Sequence, residues 1–103
     1  MNRFQSNELM EVMRELSELP DDKNIVDPHV IVKMHPGRTE AQKTQLTEEI
    51  VKDVLAILQC RTEAVSVSIE EVKPEDWAET VYRPDIAGHP DTLYKKPGYD
   101  PFA

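Results

Sequence analysis

Two hydrophobic periods follow one another from residue 28 onward. Val30, Val32 and Met34 alternate with Ile31, Lys33 and His35, and this period of two predicts a β-strand. Pro36-Gly37 breaks the strand. Thr39-Glu40-Ala41-Gln42 then has the form of a capping box, in which the threonine hydroxyl and the Gln42 amide serve opposite ends of one turn. Leu46, Ile50, Val54, Ile57 and Leu58 recur at helical spacing and predict an amphipathic helix to about Leu58. After a short Arg61-Thr62-Glu63 connection, Val65, Val67 and Ile69 alternate with Ser66, Ser68 and Glu70, a second strand running to about Val72. Strand, helix and strand within about 45 residues make a βαβ unit with parallel strands and a right-handed crossover. Two strands and one helix leave a sheet face and both edges uncovered, so self-association through the sheet is expected.

The pattern on either side is different. Leu9, Val12, Met13, Leu16 and Leu19 form one apolar stripe before Pro20, with Ser6 placed to cap the helix and Asp21-Asp22-Lys23-Asn24 as a polar link after it. A helix of this length is marginal alone in water, so the stripe is expected to dock on its own domain or on a sister subunit. Beyond the second strand, Pro74 suits a first helical position, with Glu75 and Asp76 favourable in that turn. Trp77, Val81 and Tyr82 are then expected to share a buried face on a short helix. Pro84, Gly88, Pro90, Pro97 and Gly98 punctuate the tail, and Thr92-Leu93-Tyr94 fits a short strand or a helical turn equally well. The organisation expected is an N-terminal helical extension and linker over 1–27, and a two-layer α/β domain of βαβ type over 28–103.

Composition narrows the function. The 103 residues carry 12 basic and 20 acidic side chains, a formal charge of −8. That charge is split evenly, −4 in residues 1–27 and −4 in 28–103, and no basic stripe is present for nucleic acid or anionic lipid. The apolar runs are too short for a membrane span, and Met1–Met10 lacks the apolar stretch of a secretory signal. A single cysteine, Cys60, rules out an internal disulfide and fits the reducing cytoplasm.

Little catalytic chemistry is legible in the residues alone. Cys60 beside Arg61 lacks an evident base, so a packed thiol outweighs a nucleophile. His29, His35 and His89 lack zinc-ligand spacing, and His29 and His35 lie roughly 20 Å apart in an extended chain. No metal site is expected. A nucleophile elbow, a phosphate-binding loop and a dinucleotide fingerprint are all missing.

One stretch is more specific. Pro28-His29-Val30-Ile31-Val32-Lys33, followed by Pro36-Gly37-Arg38-Thr39-Glu40-Ala41-Gln42-Lys43, resembles the opening of the tautomerase superfamily typified by 4-oxalocrotonate tautomerase. With Pro74-Glu75-Asp76-Trp77 and the ending Lys95-Lys96-Pro97-Gly98-Tyr99, the segment looks closest to the dimeric bacterial branch of the PptA type. The resemblance covers 28–103 and leaves 1–27 without a counterpart. It implies a cofactor-independent keto–enol isomerase, built as a homodimer and acting on a small anionic keto or enol acid such as phenylpyruvate. It also implies residue roles: Pro28 as the proton-transferring base, Arg38 as the group that holds the substrate's carboxylate or carbonyl oxygen, and Trp77 as an aromatic residue that lines the site.

Two departures from that pattern bear on the chemistry. Ser66 stands where hexameric relatives carry a second substrate-binding arginine, which the dimeric branch also lacks. More consequential is Asp27, which precedes Pro28 in a continuous chain. The Pro28 nitrogen is therefore a tertiary amide whose lone pair is delocalised into the Asp27 carbonyl, and it takes up no proton. Two readings follow: a tautomerase whose base appears when the Asp27–Pro28 bond is cut, or a catalytically inactive tautomerase-fold module for binding or assembly. Activity through another base, His29 or His35, is a third and weaker option.

Overall fold

The computed structural model describes residues 26–103, so the expected N-terminal amphipathic helix lies outside the described residues. Strand β1 (His29–Met34) leads to helix α1 (Glu40–Leu58), a single 3₁₀ turn (Thr62–Ala64) and strand β2 (Ser66–Glu71). Helix α2 (Pro74–Trp77) then runs into a π-helix (Ala78–Ala87). The Ser66 amide donates to the Pro28 carbonyl (3.2 Å) and the Val72 amide to the Met34 carbonyl (2.9 Å). The chain advances six residues on each side between these two bonds, which makes β1 and β2 parallel neighbours in a two-stranded sheet. The βαβ order and the mixed α/β class are those expected.

The start of α1 follows from four residues. Thr39 is extended at the N-cap, its hydroxyl accepts from the Gln42 amide (3.1 Å), and the Gln42 side chain accepts from the Thr39 amide (2.9 Å). Gly37 just before it has φ +127°, a conformation that side chains rarely adopt. Replacing Thr39 with Ala should cost about 1 kcal/mol, read as a lower urea midpoint at unchanged slope. At the other end, Gln59 takes a left-handed conformation (φ 56°), and its amide donates to the Leu55 carbonyl (3.1 Å) to close the helix.

By backbone contacts the described chain divides into two units, one formed by residues 26–32 with 38–69, the other by 33–37 with 70–103. In the first, Leu55 and Cys60 are buried, while Ile57 is 73% exposed and Leu58 50% exposed. The inward stripe of α1 therefore runs through Leu55, and the expected placement of Ile57 and Leu58 on it is corrected. The helical period places Val51 one turn before Leu55 on the covered side, whereas Ile57, two residues on, is rotated away from it.

In the second unit, Val81 and Tyr82 are buried and Trp77 is half-buried, so the expected apolar face exists but is not a single α-helical one. Pro84 supplies the reason for the wider turn. In an α-helix its ring would meet the carbonyl four residues back, and π-winding avoids that clash. Gly88 ends the segment: a Cβ there would stand 2.7 Å from the Pro84 carbonyl oxygen, so no larger residue fits without moving backbone. The tail folds back on Tyr82, whose hydroxyl donates to the Tyr99 carbonyl (3.2 Å) and whose ring meets those of Tyr99 and Phe102. Thr92, Leu93 and Tyr94 form neither strand nor helix.

Candidate active site

Pro28 stands at the head of β1, half-buried, in the first unit. Its carbonyl is fixed by the Ser66 amide at the matching end of β2. One residue on, His29 Nδ1 and Ser66 Oγ lie 2.6 Å apart, a hydrogen bond across the strand pair whose donor is set by the imidazole tautomer. Ser66 thus binds Pro28 through its backbone and His29 through its hydroxyl. This pairing was not anticipated. The signal available was the alternation itself, which places His29 and Ser66 both at outward positions of adjacent strands.

Asp27 immediately precedes this point and is exposed, with φ +41°. Proline pushes its predecessor toward extended backbone, so a left-handed residue at this place is strained, by about 1–3 kcal/mol. Aspartate tolerates such a conformation better than most residues, without removing the cost.

Arg38, in the same unit, follows Gly37 directly before the α1 cap. It is exposed and makes no hydrogen bond or ion pair with the other described residues, leaving its planar guanidinium open to an anion. Trp77 belongs to the second unit. Its indole N–H donates to the Tyr99 hydroxyl (2.7 Å), and the His35 ring meets it edge-on with centroids 4.8 Å apart. His35 lies one residue past the end of β1, so it does not share a strand face with His29.

The remaining candidates have structural roles. Cys60 is fully buried after the end of α1, and burial pushes its thiol above the usual range, with the Asp27 carboxylate adding to the rise. A thiol held neutral and covered is packing, not a nucleophile. Among the described residues no three His, Cys, Asp or Glu side chains converge as a metal-binding group, and no helix is long and apolar enough to cross a membrane. The second unit also holds a cavity of about 710 Å³ lined by Tyr82, Ile86, Leu93, Lys96, Tyr99 and Phe102. Nothing in the sequence pattern pointed to it, because it is made by the turn-rich tail.

Comparison with known proteins agrees with this layout. Residues 28–81 match the sequence profile of the family described as "Tautomerase enzyme", and the match begins at Pro28. A protein named probable tautomerase from Xylella fastidiosa is 38% identical over 76 residues, spanning 74% of this chain and 93% of its own length. Tautomerase PptA of Cronobacter sakazakii is 39% identical over 74 residues, covering 71% of this chain and 97% of the relative. Tautomerase PptA of Pectobacterium atrosepticum is 37% identical over 76 residues (70% and 96%). With half the chain matched by the family profile and nearly the whole length of these relatives covered, the chain belongs to the tautomerase family, and within it to the PptA-like members.

Proposed function

We propose that this protein is a keto–enol tautomerase of small anionic α-keto or enol acids, phenylpyruvate being the first substrate to try, and that Pro28 is its base once its nitrogen is a free amine. The observation that carries the reading is the coincidence of two boundaries: the family match begins at Pro28, and the first hydrogen bond between the parallel strands is accepted by the Pro28 carbonyl. A secondary amine there takes the proton next to the substrate carbonyl and returns it at the other end of the enol. An α-amine titrates near 8 in water, close enough to neutral pH to serve in both directions. Arg38 is assigned the substrate carboxylate and the oxygen on which enolate charge develops, a role its exposed guanidinium suits. Trp77 is assigned the apolar lining on family position alone.

This reading divides the chain in two, with 1–27 as a leader and 28–103 as the working domain. It also includes a homodimer, supported by Ile31 (50% exposed) on β1 and Ile57 (73% exposed) on α1, apolar side chains left largely exposed in one copy. The test is enol-to-keto conversion of phenylpyruvate by protein whose first residue is Pro28, a span that covers 93% and 97% of two of the relatives' lengths. Conversion well above the buffer rate supports the proposal, and folded protein no faster than buffer refutes it. In that active form, Arg38→Gln should lower kcat/KM roughly ten- to a hundredfold, the size expected for one charge-assisted contact. An unchanged kcat/KM would remove Arg38 from the site.

A further inference from the structure

The proposed base exists only after one peptide bond is broken, and the structure bears on which group breaks it. On the Pro28 side the bond is held: the ring fixes φ, the residue is half-buried, and its carbonyl is tied to the Ser66 amide at 3.2 Å. On the Asp27 side the backbone is in the left-handed region at φ +41°, where a residue before proline is disfavoured. The Asp27 side chain is exposed to water and has no hydrogen-bond or ion-pair partner among the described residues. Among the described residues, the Cys60 thiol, which the Asp27 carboxylate helps to hold neutral, is fully buried, and the Ser66 hydroxyl is engaged with the His29 imidazole.

We infer that the chain cuts itself at Asp27–Pro28, with the Asp27 carboxyl as the attacking group. An oxygen of the side-chain carboxylic acid adds to the Asp27 backbone carbonyl carbon, closing a five-membered ring. The bond to the Pro28 nitrogen then breaks; its electron pair stays on nitrogen, which takes the proton given up by the carboxyl group. The products are a cyclic anhydride at Asp27 and a secondary amine at Pro28. One water opens the anhydride, leaving Asp27 with its side-chain carboxyl and a new terminal one. The balance is that of hydrolysis, with no further reactant. A proline nitrogen is the more basic leaving group than an ordinary peptide nitrogen, and cleavage releases the strained backbone at Asp27. The ring requires only groups of one residue, so it forms with the advantage of an intramolecular reaction. The inference rests on the proposed role of Pro28 for its purpose, though not for its chemistry.

The experiment follows intact mass and N-terminal sequence of the purified full chain, incubated folded in mildly acidic buffer beside the same chain in urea. The folded chain is expected to lose residues 1–27 and expose Pro28 at least about tenfold faster than the unfolded one, since only the fold imposes the strained geometry. Asp27→Ala should remain whole, and Asp27→Glu, which must close a six-membered ring, should be cut about tenfold more slowly. Equal rates in the folded and unfolded chains overturn the inference, as does an Asp27→Ala protein cut as fast as its parent. The folded-against-urea comparison holds even if a variant fails to fold. Turnover is read separately on each product. A cleaved chain without turnover refutes the tautomerase reading alone; an uncut chain, beside active protein made to start at Pro28, refutes self-cleavage alone.

Discussion

A chain that starts at Pro28 is expected to convert enol to keto acid about 10²–10⁴ times faster than the continuous chain in which Asp27 precedes it, the usual contribution of one well-placed proton-transfer group. The magnitude follows from the bond, not from any change of fold. In the continuous chain the Pro28 nitrogen is part of an amide and has no lone pair to offer. In the shortened chain the same atom is a secondary amine at the same strand end, with the Ser66 amide still holding the Pro28 carbonyl. The active form is the unprotonated amine, so kcat/KM should fall as pH drops through its pKa and level off above it. An amine in water titrates at about 7.7–8.0, and a nearby guanidinium or an apolar site brings that down, which keeps the base competent at neutral pH. Parallel assays of both chains across this range check magnitude and sign together. Equal rates would transfer the base role to another group, and double replacement of His29 and His35 would then test the imidazoles.

The second large effect concerns stability. Leu55→Ala should cost about 2–5 kcal/mol, a substantial part of the 5–15 kcal/mol that holds a small domain folded. Leu55 is 2% exposed on the inward side of α1, so truncation opens a void in the covered interior. Two positions along, Ile57 is 73% exposed, and Ile57→Ala should move the urea midpoint of a monomer hardly at all. If Ile57 lies in the proposed dimer interface, its truncation instead lowers the midpoint at concentrations where the parent dimerises and weakens its dependence on protein concentration. The paired measurement therefore reads core packing and self-association at once. A small loss in Leu55→Ala would mean that the α1 stripe is assigned to the wrong face.

These contrasts mark where pattern reading works. The capping box fixed the start of α1 because its hydrogen bonds lie within four residues, and alternation placed both strands because β periodicity needs no distant partner. The inward face of α1 was harder. Leu46, Ile57 and Leu58 fit a helical stripe as well as Leu55 does, and only the packed structure shows which apolar side chains are left outside. The π-helix was not expected, since a proline within a helical pattern signals a break, whereas here the turn widens around Pro84 and the helix continues to Ala87. At the candidate site, Pro28 and Arg38 were found through the family motif, not through chemistry visible in the residues. The His29–Ser66 bond and the backward φ of Asp27 depend on strand register and chain direction, which composition does not encode.

The most direct measurement is a pH titration of proline nitrogen by NMR on ¹⁵N-proline-labelled protein, in both the continuous chain, kept whole by Asp27→Ala, and the chain that begins at Pro28. In the shortened chain, one proline nitrogen should shift with pH, with a midpoint that coincides with that of kcat/KM. In the continuous chain none should titrate, and turnover should be at the buffer rate. A continuous chain that turns over as fast as the shortened one while every proline nitrogen stays silent would contradict the account.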